Sequence, residues 1–117
     1  MLQHVSLEVP PDQVERTIEF WRLLGFEPVQ APAPIAEWVS WLQRDGTQIH
    51  LLHTEGATAP PLGHAAVVVD DFEATVASLR EAGFEVQDAR QLWGADRAFA
   101  LAPAGHRVEL MAAAPAA

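Results

Sequence analysis

Imidazole and carboxylate are the strong metal-ligating groups available to this chain, because its 117 residues include five His and sixteen Asp or Glu but no Cys. Thiolate zinc sites, disulfides and cysteine nucleophiles are thereby excluded. Three histidines and one glutamate stand at matching separations: His4 and His64 lie 60 positions apart, and His50 and Glu109 lie 59 apart. Three neutral imidazoles and one carboxylate suit a single divalent ion, Zn, Ni, Fe, Co or Mn, with positions left open for outside oxygens. Such an ion stabilises an oxyanion developing on a bound substrate or lowers the pKa of bound water. The metal set is therefore His4, His50, His64 and Glu109, and Glu109 and His50 double as the catalytic candidates.

These separations belong to an internal repeat. Leu2-Gln3-His4-Val5-Ser6-Leu7-Glu8-Val9 matches Leu62-Gly63-His64-Ala65-Ala66-Val67-Val68-Val69, and Gly46-Thr47-Gln48-Ile49-His50-Leu51 matches Gly105-His106-Arg107-Val108-Glu109-Leu110. Between them lie two helical patterns, with Val14, Ile18 and Trp21 on one face of the first and Phe72, Val76 and Leu79 on one face of the second. Asp12 or a neighbour is placed to cap the first, and Asp70 or Asp71 the second. Leu24-Gly25-Phe26-Glu27 and Ala82-Gly83-Phe84-Glu85 end them, each Gly supplying the left-handed residue that closes a helix. Val-, Trp- and Leu-rich segments broken by Gly or Pro then predict three short strands per unit. Each unit thus reads strand, helix, strand, strand, strand, an α+β pattern. The Gly-, Ala-, Thr- and Pro-rich stretch 54–61 separates a first module, 1–60, from a second, 61–117, the two together making one structural domain.

Side chains alternate faces along a strand, so parity states which residues share a surface. Val5, Leu7 and Val9 form the apolar set that packs on a helix, which leaves His4, Ser6 and Glu8 opposite. Ile49 and Leu51 likewise leave His50 opposite. In the second unit, Val67 opposes His64, and Val108 and Leu110 oppose Arg107 and Glu109. All four ligand candidates fall on the face without helices, and Ser6, Glu8 and Arg107 join them as pocket candidates. Trp38 and Trp41 have opposite parity, so one lines this face as an aromatic wall and the other enters the core; both are carried as pocket residues. His53 has the wrong parity and His106 falls in a turn, so both are read as ordinary surface histidines.

A formal net charge of −9 with seven Arg and no Lys argues against nucleic acid as a partner, since phosphate neutralisation needs a basic surface. No apolar stretch approaches membrane-spanning length, and the opening strand lacks the pattern of a secretory leader. A cytoplasmic protein without membrane partners is expected.

With these residues in hand, the chain resembles the vicinal-oxygen-chelate superfamily of glyoxalases, bleomycin-resistance proteins and extradiol dioxygenases. The resemblance rests on the opening strand with His4, on Ile18-Glu19-Phe20-Trp21-Arg22-Leu23-Leu24-Gly25-Phe26, on Gly63-His64, and on Phe99-Ala100-Leu101-Ala102-Pro103-Ala104-Gly105-His106-Arg107-Val108-Glu109-Leu110. The last stretch has Ala at both positions where the family's turn carries Asp. The resemblance implies paired βαβββ modules forming a half-barrel and a metal that chelates two neighbouring oxygens of a small substrate. It places His4, His64 and Glu109 on the usual ligand positions and His50 on the fourth, where glyoxalases often carry Glu. It also implies a homodimer, with modules pairing within one chain or by exchange between two.

The reaction stays open among lyase or isomerase-like and oxygenase chemistry. Glu8 disfavours a glutathione adduct and the lack of Tyr removes a common acid/base of ring-cleaving dioxygenases, so the alternative is a non-catalytic binder of the bleomycin-resistance type.

Overall fold

A computed structural model of the chain describes residues 1–116. The chain divides into two compact units, Met1–Ala59 and Pro60–Ala117, each an α+β unit built on the same plan.

In the first unit, strand β1 (His4–Val9) leads through a 3-10 turn at Pro11–Gln13 into helix α1 (Val14–Leu23), followed by β2 (Glu27–Val29), β3 (Val39–Arg44) and β4 (Thr47–His53). The sheet order is β1-β4-β3-β2. β1 pairs with β4 in parallel, and the other pairs are antiparallel. A parallel pair needs a crossover, and α1 with the strands after it supplies the chain length for one. Phe20 and Trp21 of α1 are buried with Leu42, Ile49 and Leu51 of the strands, of which Ile49 and Leu51 are the pair that parity assigns to the helix side. Trp21 meets Phe20 and Phe26 edge-on at 5.6 and 5.3 Å between centroids.

The second unit repeats the plan with β5 (His64–Val68), α2 (Phe72–Glu81), β6 (Val86–Ala89), β7 (Arg97–Leu101) and β8 (Arg107–Met111) in the order β5-β8-β7-β6. Its parallel pair is β5 with β8. Val76 and Leu79 of α2 are buried, as are Ala98, Ala100, Val108 and Leu110 of the strands, while Phe72 is half-buried.

Both helices close in the same way. Gly25 and Gly83 adopt φ of +90° and +91°. After the first, Phe26 N donates to Trp21 O at 3.1 Å and Gly25 N to Arg22 O at 2.9 Å. After the second, Phe84 N donates to Leu79 O at 2.9 Å and Gly83 N to Arg80 O at 3.0 Å. Each is a Schellman closure, in which a left-handed residue lets the chain satisfy carbonyls that would otherwise be orphaned. A Cβ at either glycine would disfavour that φ, which is why the Leu/Ala-Gly-Phe-Glu run recurs.

The helix starts differ from expectation in one unit. Asp71 caps α2, its Oδ1 accepting from Ala74 N at 3.1 Å. Asp12 does not cap α1: it lies inside the 3-10 turn, and Gln13, which precedes α1, has φ −105° and ψ −2° and makes no side-chain cap bond. The Pro10-Pro11 pair sets up that turn, placing Asp12 one residue too early. The buried face of α1 also differs, running through Val14, Thr17, Phe20 and Trp21 while Ile18 is half-buried. Thr17 fits there because its hydroxyl donates to Gln13 O at 2.7 Å. Among the described residues no helix is long and apolar enough to cross a membrane.

The contrast between the helix starts gives a prediction. Asp71→Ala should lower unfolding stability by about 1 kcal/mol, whereas Gln13→Ala, at a half-buried side chain that makes no cap bond, should change it by less than about 0.5 kcal/mol. Urea denaturation of the two variants checks this; equal losses would show that the cap at Asp71 contributes nothing.

Candidate functional site

Each unit brings its own pair of ligand candidates onto neighbouring strands of its parallel pair. In the first, Trp41 lies directly opposite His50 across the β3–β4 ladder, and Ser6 is His50's partner across β1–β4. The His50 ring is sandwiched between Trp41, at 4.0 Å and 1° between planes, and His4, at 4.1 Å and 15°. His50 is buried while His4 is exposed.

The polar edges of these rings are assigned by their bonds. Gln48 Nε2 donates to Gln43 Oε1 at 2.8 Å, so Gln48 Oε1 is the acceptor facing His50 Nε2 at 2.8 Å. His50 then carries its hydrogen on Nε2, and Nδ1 holds the lone pair of the neutral ring. His4 Nδ1 meets Gln3 Oε1 at 2.7 Å, which leaves its Nε2 lone pair for other use. Burial, with the nearby His4 as a lesser cause, lowers the His50 pKa and so favours the neutral form that ligation needs.

Ser6 and Glu8 are exposed and share the alternation of His4. Trp41 lines the histidine face, but Trp38 does not enter the core as its parity suggested. It precedes β3 and is 60% exposed, on the alternation of Ser40 and Leu42. His53 takes the face opposite His50, where its Nε2 meets Ser40 Oγ at 2.8 Å.

In the second unit, His64 Nε2 stands 3.1 Å from Glu109 Oε1, and His64 Nδ1 lies 2.9 Å from the Leu62 carbonyl. A carbonyl only accepts, so Nδ1 carries a hydrogen. In the neutral tautomer Nε2 is then a lone pair aimed at a carboxylate oxygen. Two acceptors at that distance require a proton or a cation between them.

The other carboxylate oxygen, Oε2, accepts from Arg97 Nε at 2.9 Å. Burial pushes the Glu109 pKa up, but the hydrogen bonds from Arg97 and His64 and their charges outweigh it and hold the carboxyl below its usual range. Phe99 lies opposite Glu109 across β7–β8, meets His64 edge-on at 5.2 Å, and carries the Arg107 guanidinium over its ring at 4.2 Å. His64 and Arg107 are partners across β5–β8.

Sequence reading missed Arg97 and Phe99. Their signal was the alternation of Arg97-Ala98-Phe99-Ala100, in which the small residues face the helix and the large ones do not. Using it requires the β7–β8 register, which the sequence does not print. His106 also departs from expectation, being 5% exposed with Nδ1 unpaired among the described residues. The turn tucks it inward as Ala102 N donates to its carbonyl at 2.9 Å, and burial lowers its pKa. Among the described residues, no group of three or more His, Asp or Glu stands together as a metal cage; the ligand types come as one pair per unit.

A family model described as the Glyoxalase/Bleomycin resistance protein/Dioxygenase superfamily matches residues 2–110. Curated protein sequences give no match. Among solved structures, a protein assigned to the glyoxalase family from Bacillus anthracis is similar at a TM-score of 0.83 and 21% identity, covering 95% of this chain and 93% of that one. Oxidase ChaP-H2 is similar at 0.76 and 22%, covering 100% and 96%. A glyoxalase/dioxygenase from Nostoc punctiforme is similar at 0.73 and 17%, covering 95% and 89%. At these identities the structures establish the fold.

The lowered histidine pKa values set a pH dependence. Below the ordinary value of 6.5, the unfolded chain takes up protons that His106 and His50 refuse in the fold, so stability falls as pH drops through that window. Each histidine adds a slope of at most about 1.4 kcal/mol per pH unit. Stability measured from pH 7.5 to 5 should decline, and His106→Leu should flatten the decline; an unchanged slope in that variant would remove His106 as a source.

Proposed function

The chain belongs to the glyoxalase/bleomycin resistance protein/dioxygenase superfamily, and from that premise we propose that it is a metalloenzyme acting on a small substrate through two neighbouring oxygens. The observation that carries this reading is the facing pair of His64 Nε2 and Glu109 Oε1 at 3.1 Å, an imidazole and a carboxylate bridged by a proton whose place a divalent ion would take. The donor chemistry fits a divalent ion: His64 is held in the right tautomer by Leu62, Glu109 is ionised, and His4 and His50 each keep a lone pair at the ring edge. His4, His50, His64 and Glu109 would hold it. When bound, the ion supplies Lewis-acid stabilisation of a developing oxyanion.

The chain's own residues provide the rest. Trp41 presents an apolar wall beside His50, and Gln48 fixes that ring's orientation. Arg107, Ser6 and Glu8 set the polar surroundings, with lyase, isomerase-like or oxygenase chemistry following from which proton or oxygen the substrate presents. Glu109, tied at both oxygens, serves as a ligand before it serves as a base.

A second reading, a non-catalytic ligand-binding protein, is favoured by the same first unit. The Trp41–His50–His4 stack is complete without an ion and offers a flat aromatic surface to a planar ligand. The two readings separate on metal content. Elemental analysis of untagged protein should give about one divalent ion per chain, and His64→Ala or Glu109→Ala should weaken binding by at least about tenfold. No stoichiometric metal after reconstitution favours the binder.

We further propose a homodimer. If the modules exchange between chains, mixing His4→Ala with Glu109→Ala chains restores one intact site per heterodimer and hence metal binding; within-chain pairing restores none. Metal-bound protein that sediments only as monomer at micromolar concentration overturns the dimer.

A further inference from the structure

Glu109 is held from two sides, and only one holder is a metal-ligand type. Arg97 donates through Nε to Glu109 Oε2 at 2.9 Å, while its Nη1 donates to the Arg90 carbonyl at 2.8 Å. Both side chains of the ion pair are about nine-tenths buried, at 10% and 9% exposed. The guanidinium carbon also lies 5.3 Å from the centroid of Trp93 and 5.7 Å from that of Phe99. Trp93 is itself anchored, its Nε1 donating to Ala113 O at 2.7 Å. A buried guanidinium fixed at two polar contacts and flanked by two rings has few other places to go.

We infer that Arg97 is a positioning residue for Glu109: it occupies Oε2 and turns Oε1 toward His64 as the single oxygen offered to a metal. The inference rests on the metal reading above and extends it to how the carboxylate can bind. With Oε2 committed to Arg97, Glu109 would offer a divalent ion one oxygen rather than two. Oε1, by contrast, keeps its second lone pair, and the His64 ring beside it is fixed by Leu62. The sequence shows none of this, because Arg97 and Glu109 are twelve residues apart and meet only through the β7–β8 hairpin.

The test is a double-mutant cycle read by Co(II) binding, with affinity measured against a competing chelator and coordination followed by the visible absorption of the bound ion. Arg97→Met should weaken Co(II) binding about 10- to 100-fold, the usual loss on removing an outer partner of a ligand. In a Glu109→Ala background the same substitution should change affinity less than about threefold, because the residue it orients is gone. A merely structural Arg97 would lower affinity equally in both backgrounds and overturn the inference, as would tighter binding by Arg97→Met. Should that variant fail to fold, Arg97→Lys carries the test. It keeps the charge but lacks the paired Nε and Nη1 donors, so its circular dichroism should be native while its Co(II) spectrum and affinity still depart from those of the unsubstituted protein. Native binding by Arg97→Lys would show that charge, not orientation, is what matters. If the unsubstituted protein binds no Co(II), Zn(II) or Ni(II), the metal reading falls and takes this inference with it; native binding with unaffected variants overturns the inference alone.

Discussion

Each unit of this protein depends on one parallel strand pair, formed between its first strand and its last. Closing that pair means bringing together residues more than forty positions apart, and the entropy of so long a closure must be offset by what lies between. The helix and the two middle strands do this by burying one continuous apolar layer, Phe20 and Trp21 against Leu42 and Leu51 in one unit and Leu79 against Ala98 and Leu110 in the other. Once the pair is closed, alternation does the remaining work. The residues that do not face the helix come out side by side, and in both units those are the ligand types.

The two units use that inheritance differently. In the first, the polar rings satisfy one another by stacking, with hydrogen-bonding capacity directed outward to Gln3 and Gln48. In the second, a carboxylate has been buried beside a strand, which is tolerable only because Arg97 and His64 meet it at 2.9 and 3.1 Å. The small residues Ala98 and Ala100 on the helix side of β7 leave the opposite side to Arg97 and Phe99, which carry the polar machinery. A repeat in backbone has thus become asymmetric in chemistry.

Much of this was legible in the chain. The repeat, the helix-closing glycines, a cap at Asp70 or Asp71 and, within each unit, the strand face that carries His4 with His50 or His64 with Glu109 follow from spacing and parity, because these are local rules with long-range results. What was not legible needed register or turn geometry. Arg97 meets Glu109 only through the exact pairing of β7 with β8, and His106 is buried by the way its turn folds back. Asp12 was misplaced because Pro10 and Pro11 insert a 3-10 turn ahead of α1, and Trp38 because it stops one residue short of β3.

The outermost strands on one side of each sheet, β2 and β6, also bear on how the protein behaves in concentrated solution. β2 is three residues long and contains Pro28, which has no N–H to offer a neighbouring chain. β6 reaches the same end with charge: Asp88 is held by Arg80 at 3.4 Å, so an incoming strand would meet an ion pair along that border. Both borders are therefore poor templates for intermolecular sheet growth, one through a missing donor and the other through the cost of stripping water from charges.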